Sequence, residues 1–199
     1  MSLKIQPIKY IVCHHTATSF ETSPDAIKQG SLNWLAQNDR LMYFGQGYKC
    51  DYHWMVDQYG KVFQGQPESM VAFHSGNNRI NETSIAVSAI GNIHESGMPL
   101  KQFVGFLQTI MILKKRYPNA NIIRHSDVIN TACPGQNFPF AKLTSFARIK
   151  DLNPASWDFK YMVAMLFWGQ YSVAEKVYPD NPLTRAEYAV LKSKEMKWI

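Results

Sequence analysis

Ile8-Lys9-Tyr10-Ile11-Val12-Cys13-His14-His15 is a short, apolar and β-branched run that ends on two imidazoles. A run of this length, rich in Ile and Val, reads as a buried strand rather than as a turn of helix. Successive strand residues face opposite sides of a sheet, so His14 and His15 point apart. Only one of them can serve a given site, and spacing alone leaves open which.

The segments that follow give this strand its partners. Ser23-Pro24-Asp25 predicts a helix start, with Ser23 as N-cap and Pro24 at the first helical position. Ile27, Ser31, Trp34 and Leu35 fall on one face of that helix, which Gly30 weakens. Tyr52 to Val56 and Val62 to Gln64 flank Asp57-Gln58-Tyr59-Gly60-Lys61, a hairpin pattern with Gly60 available for positive φ. Ser84 to Ile90 predicts another strand. Leu100, Phe103, Leu107, Ile110 and Met111 repeat at helical spacing, and Pro118 closes that helix. Asn121 to Arg124 predicts a last short strand, ending at His125. Strands interspersed with helices indicate an α/β fold with a mixed central β-sheet flanked by helices.

A break falls at Asp151-Leu152-Asn153-Pro154, which divides the chain into residues 1–150 and a helical extension, 151–199. Met162, Met165, Leu166 and Trp168-Gly169 suggest one helix there. Pro182 to Tyr188 opens another, with Thr184 and Glu187 placed for a capping box.

With 199 residues, 46% hydrophobic and 18% charged, the chain has an ordinary globular composition rather than a disordered one. The net charge of +6 favours an anionic partner, yet the basic residues are scattered and no nucleic-acid arm is visible. Three cysteines are too few and too odd for a disulfide scaffold. No apolar run reaches the ~18 residues of a membrane span, and no secretory signal pattern opens the chain. A soluble, monomeric protein made in the cytoplasm is the expectation.

Histidine and cysteine placement carries the chemistry. His14 and His15 close one strand, His125 closes another, and Cys133 follows eight residues later in Asn130-Thr131-Ala132-Cys133-Pro134-Gly135. Zinc takes imidazole and thiolate ligands, and its catalytic sites use three of them while keeping a fourth position open. One strand-end histidine from each strand plus the loop cysteine fit such a site. A papain-like Cys/His pair is the alternative, although no helix starts directly after Cys133 to acidify its thiol. By default His53, His74 and His94 are structural or groove residues.

Four segments, taken in order, resemble the type 2 N-acetylmuramoyl-L-alanine amidases, a family that includes a phage lysozyme and the animal peptidoglycan recognition proteins. They are Ile11 to Thr18; Cys50-Asp51-Tyr52-His53-Trp54 with Asp57 to Gly65; Ala72 to Asn78 with Ser84 to Val87; and Arg124 to Asp127 with Ala132 to Gly135. The resemblance around them covers roughly residues 8 to 146.

The resemblance implies a mixed-sheet amidase domain with Zn²⁺ on His14, His125 and Cys133. It implies a catalytic Tyr52 and a substrate groove lined by His74 and Asn78. Thr131 stands where the phage lysozyme has lysine and recognition-protein amidases often have threonine, so it would assist by hydrogen bonding. The implied reaction is cleavage between N-acetylmuramic acid and L-alanine in peptidoglycan, as in an endolysin or autolysin acting on the cell wall. A non-catalytic peptidoglycan-binding module and a zinc peptidase cutting elsewhere in the stem are the competing readings. Tyr178 to Ala189 resembles half of an S-layer homology motif, which would bring anionic cell-wall polysaccharide to the C-terminal segment. The favoured reading of that segment is a helical pair packed on the first domain.

Overall fold

In the computed structural model, which describes residues 3–4, 6–38, 47–169 and 189–190, the histidine-ended run is strand β1 (Tyr10–His15) of a five-stranded sheet. The other strands are β2 (Trp54–Val56), β3 (Val62–Gln64), β4 (Ser84–Ala89) and β5 (Asn121–Arg124), in the order β3-β2-β4-β1-β5. β1 runs parallel to both β4 and β5, and β2 runs parallel to β4; β3 alone is antiparallel, paired with β2. The sheet is therefore mixed, and β1 and β4 lie inside it. Their near-continuous apolar runs suit strands covered on both faces.

Helices α1 (Pro24–Gln37), α2 (Asn78–Glu82), α3 (Ile93–Ser96), α4 (Leu100–Arg116), α5 (Phe140–Phe146) and α6 (Phe159–Phe167) surround it. Ser23 caps α1 by accepting the Ala26 N–H at 3.1 Å. Ile27, Ser31 and Leu35 are buried on α1, but Trp34 is 43% exposed. Its ring stacks on Phe73 at 5.9 Å, outside the core stripe. The hairpin turn forms as its composition requires: Gly60 has φ +84°, and Asp57 Oδ1 accepts the N–H groups of Tyr59 and Lys61. β2 begins at Trp54 rather than Tyr52, because the carbonyls of Tyr52 and His53 are taken by Gln66 and Gly65 beyond the end of the β2–β3 ladder.

Alternation divides the sheet into two unlike faces. Ile11 and Cys13 of β1, with Ile85, Val87 and Ala89 of β4, join the core formed with Phe103, Phe106, Leu107 and Ile110 of α4. The opposite face carries His14 from β1 and the small residues Ser84, Ala86 and Ser88 from β4. In the buried first turn of α4, the Gln102 amide donates to the Val56 and Ile90 carbonyls at 2.8 Å each, pinning the helix to the ends of two strands.

Residues 151–169 share this core. Phe159, Met162, Val163, Met165 and Leu166 of α6 pack in the same cluster as α4, joined by Ile149 and Leu152. Of the expected helical pair, only this first helix lies wholly within the described residues. Thr184 and Glu187 lie outside the described residues, as does almost all of the S-layer-like stretch.

α4 approaches the hairpin turn with only backbone between them. A Cβ added to Gly105 would fall 2.3 Å from the Gly60 carbonyl oxygen. On an exposed helix, Gly→Ala adds about 1 kcal/mol of stability. Here the clash wins, and Gly105→Ala is expected to lose about 1–3 kcal/mol in urea unfolding. A variant as stable as the parent would show that the helix and turn are not in contact.

Candidate metal centre

β1 delivers His14 to the face that α4 leaves open. β5 ends at Arg124, and a 3-10 turn, His125–Asp127, presents His125 beside it. Asp127 holds that turn, accepting the Arg124 N–H at 2.8 Å and its guanidinium at 2.8 Å. Ser126 N–H donates to the Cys133 carbonyl at 2.9 Å, which draws the cysteine loop back onto the turn. One donor atom from each of His14, His125 and Cys133 lies within 4.8 Å of the others.

The donors suit a metal ion. His14 Nδ1 is 3.6 Å from Cys133 Sγ. The two imidazole rings are 4.6 Å apart. His125 Nε2 is buried without a hydrogen-bond partner among the described residues, an arrangement that a metal would satisfy. Two imidazoles and a thiol form a donor set for zinc or another borderline-soft cation.

Burial sets the protonation of each donor. His14 is held well below the usual imidazole range by burial, and then by the neighbouring His74, His125 and His15. Burial also lowers His125, against a hydrogen bond with the Ser75 backbone. The Cys133 thiol is pushed up to about 11 by burial, with the His15 N–H at 3.4 Å pulling the other way. Both imidazoles therefore offer neutral lone pairs at pH ~7. Only the thiol has a proton that must leave on metal binding.

His15 points to the other face. Its Nδ1 accepts the Ile93 N–H at 3.1 Å, and it makes no third corner for the cluster. Tyr52 stands beside His14, ring centroids 5.4 Å apart, and its phenol is raised above its ordinary range by burial and by nearby Cys133. It is therefore a proton-bearing donor at neutral pH. Thr131 Oγ1 accepts the Cys133 N–H at 3.3 Å, bracing the ligand loop. His74 is only 7% exposed, and both its ring nitrogens are engaged inside the protein, with His14 at 3.0 Å and Ser84 at 2.8 Å. It has no free nitrogen to offer to a groove. Asn78 is exposed in the first turn of α2, where the capping side chain is that of Asn77. No hydrogen bond joins Asn78 to the cluster among the described residues.

With this geometry in place, comparison with known proteins is informative. The profile of the family described as N-acetylmuramoyl-L-alanine amidase (Amidase_2) matches residues 4–136. The chain belongs to that family. A peptidoglycan-recognition protein of Drosophila simulans is 24% identical over 135 residues, covering 66% of this chain and 70% of its own. An endolysin amidase, LysCS from Clostridium intestinale URNW, superposes with a TM-score of 0.60 at 23% identity, covering 73% of this chain and 90% of its own. The endolysin of a Thermus scotoductus bacteriophage gives the same TM-score and identity, covering 73% and 88%. These structural likenesses establish the amidase and recognition-protein fold.

Sequence reading missed two polar groups behind the centre of this amidase-family chain. Ser84 reads as the start of a strand, and Lys4 falls in an unremarkable N-terminal stretch. Lys4 Nζ in fact lies 2.7 Å from His53 Nε2 and donates to the Ser84 carbonyl at 2.7 Å. The Ala86 N–H donates to His53 Nδ1 at 2.9 Å, so the proton of a neutral His53 sits on Nε2. That N–H is taken by the Met70 carbonyl at 3.0 Å; an ammonium at Lys4 would still set N–H against N–H, whereas an uncharged amine can turn its lone pair towards the ring. Burial agrees, lowering Lys4 to about 7 against the attraction of Glu68.

A stability signature follows. Below pH ~7 the Lys4 amine is charged in both folded and unfolded chains. Between about 7 and 10.5 the unfolded chain keeps a proton that the folded one gives up, so stability rises with pH across that window. Lys4→Met should remove a slope of at most ~1.4 kcal/mol per pH unit. Urea unfolding of metal-stripped protein at about pH 7.5 and 8.5 measures it. Equal slopes in parent and variant would refute a neutral Lys4.

Proposed function

We propose that this chain hydrolyses the amide bond between N-acetylmuramic acid and L-alanine in peptidoglycan, using zinc held by His14, His125 and Cys133. The observation that carries this reading is the convergence of those three donors within 4.8 Å, beside Tyr52, in a member of the N-acetylmuramoyl-L-alanine amidase family. Zinc held there supplies Lewis acidity towards a carbonyl and towards water.

The protein's own groups supply the rest. Neutral His14 and His125 keep lone pairs available, and the loop braced by Thr131 keeps Cys133 within reach of both. Tyr52 retains its proton, because burial resists phenolate formation. Its role is to donate a hydrogen bond to oxygen that gains charge as the amide carbonyl is attacked, rather than to act as a base. Thr131 assists from the cysteine loop. Asn78, exposed on α2, would meet the stem peptide in this reading, whereas His74, with both ring nitrogens engaged, would act through His14. A purely recognising role is disfavoured because all three donors and the tyrosine are present. The work takes place at the cell wall, after export or release.

Anionic wall polysaccharide is the second partner in this reading. A groove of about 440 Å³ runs along α4, on the side of the sheet away from His14. Tyr59 and Trp157, each 69% exposed, offer rings for sugar stacking, and Lys101 and Lys160 supply charge with no acidic residue in the lining.

Cys133→Ser should abolish both zinc retention and turnover, His15→Ala should keep its zinc, and Tyr52→Phe should keep zinc while losing about 10²–10³ in kcat. Mass spectrometry of products from defined muropeptides, with and without chelator, identifies the bond. Products cut within the stem peptide would replace the amidase reading by a peptidase one, and a fully active Cys133→Ser protein would end the ligand assignment. For the second partner, Trp157→Ala with Lys160→Glu should weaken pull-down of the full chain by purified wall polymer by about tenfold or more while muropeptide hydrolysis stays unchanged. Undiminished pull-down would remove the back groove from the account.

A further inference from the structure

We infer that Ser84 and His74 form a neutral hydrogen-bond relay that decides which ring nitrogen of His14 faces the metal position. Both are positioning residues acting through His14, and the inference rests on reading His14 as a metal ligand.

The direction of each hydrogen bond can be assigned from one fixed end. Ser84 Oγ lies 2.6 Å from the Ile80 carbonyl, which can only accept, so the single hydroxyl proton goes there. Ser84 Oγ then has only lone pairs for His74 Nε2 at 2.8 Å, and that nitrogen must carry a proton. A neutral His74 protonated on Nε2 is bare on Nδ1. Nδ1 faces His14 Nε2 at 3.0 Å, and the pair holds only if His14 Nε2 is the donor. His14 is then bare on Nδ1, the nitrogen that lies 3.6 Å from Cys133 Sγ. Each step follows from the one before it, from the last turn of α2 through the first residue of β4 to the end of β1.

Burial makes the assignment consequential. Ser84 is fully buried, His14 is 1% exposed and His74 is 7% exposed. Water is not at hand to satisfy a misdirected N–H, and such a group costs about 1–3 kcal/mol. Main-chain contacts hold the relay's origin, since Lys4 Nζ donates to the Ser84 carbonyl at 2.7 Å. Metal-bound histidines commonly pass their other N–H to a carboxylate or a backbone carbonyl. Here the acceptor is a second imidazole backed by a hydroxyl. The relay thus orients His14 without placing a negative charge behind it.

Removing the Ser84 hydroxyl takes away the acceptor for His74 Nε2–H. His74 then gains by moving its proton to Nδ1, which meets His14 Nε2 and sends the His14 proton to Nδ1. In that tautomer the metal-facing lone pair is lost. The relay therefore acts on metal affinity before it acts on turnover.

The test uses the full chain, stripped of metal. Two-bond ¹H–¹⁵N correlations of the unsubstituted protein should show His14 and His74 both protonated on Nε2, a result that needs no variant to fold. Zinc affinity, measured by competition with a chromophoric chelator, should fall about 10–100-fold in Ser84→Ala and in His74→Ala. Ser84→Thr restores the hydroxyl, and His74→Asn places an amide oxygen near the lost Nδ1, so both should return to within a few-fold of the parent. The Ser84→Ala spectrum should show His14 shifting towards the Nδ1–H form. An Nδ1–H tautomer of His14 in the parent, or parent-like zinc affinity in folded Ser84→Ala and His74→Ala, would overturn the relay. A parent with the Nε2–H tautomers but no zinc affinity would overturn the ligand reading and leave the relay's proton order standing.

Discussion

Everything in this molecule hangs on the side-chain alternation of one strand held by parallel pairing on both edges. Cys13 and His14 are neighbours in sequence, yet one belongs to the hydrophobic core and the other to the candidate metal centre. Because β4 and β5 fix the register of β1 from either side, His14 cannot slip by one residue without sending Cys13 to the open face. The α4 core, with Phe103, Phe106 and Ile110 against Ile11 and Cys13, therefore does positional work for chemistry it never touches. Gln102 adds to the lock by tying α4 to the ends of β2 and β4.

The open face is built on different terms. Ser84, Ala86 and Ser88 are small, and that leaves room for His14, His74 and Tyr52 to gather above the sheet. Among the described residues, no carboxylate takes part in the donor cluster or in the proposed Ser84–His74–His14 relay. Burial keeps the imidazoles neutral and the thiol protonated, so the centre carries little charge of its own before a cation arrives. The single negative charge it would gain on binding a metal falls on Cys133, and the His15 N–H already points at the sulfur to receive it.

The sheet was legible because its five strands and the helices α1, α4 and α6 announced themselves locally, whereas the short helices α2, α3 and α5 carry no such pattern. The apolar run before His14, the hairpin at Asp57 to Lys61 and the 3.6-residue repeat from Leu100 all form where patterning places them. Alternation alone separated His14 from His15, but choosing His14 required the family resemblance, since nothing local says which face the helices will cover. What stayed hidden depends on approach in space. Gly105 reads as a weak helix residue until Gly60 is found against it. Lys4 reads as an N-terminal cation until it is found buried beside His53, where burial lowers its pKa to about 7. His74 reads as a groove residue because its motif lies in the groove segment, and only hydrogen-bond directions place it behind His14. Ser84 carried a faint signal: serine and alanine alternate with Ile85, Val87 and Ala89, which marks one face of β4 as unfilled.

The same two-faced sheet separates the proposed cutting site from the proposed wall-binding groove. Tyr59 sits on the hairpin turn, Lys101 on α4 and Trp157 and Lys160 at the start of α6, all anchored to the core on the side of the sheet opposite His14. A polymer held there would lie on a surface that shares no residue with the His14–His125–Cys133 cluster, so holding and cutting need not compete for one groove. What links them is rigid rather than contiguous. Gly105 on Gly60 couples α4 to the hairpin whose other strand, β2, begins two residues after Tyr52. Any force a tethered polymer applies at Trp157 and Tyr59 is thus carried by packed backbone, which deforms little. Tyr52 and the neighbouring His14 would therefore keep their places if a polymer were held at the back groove.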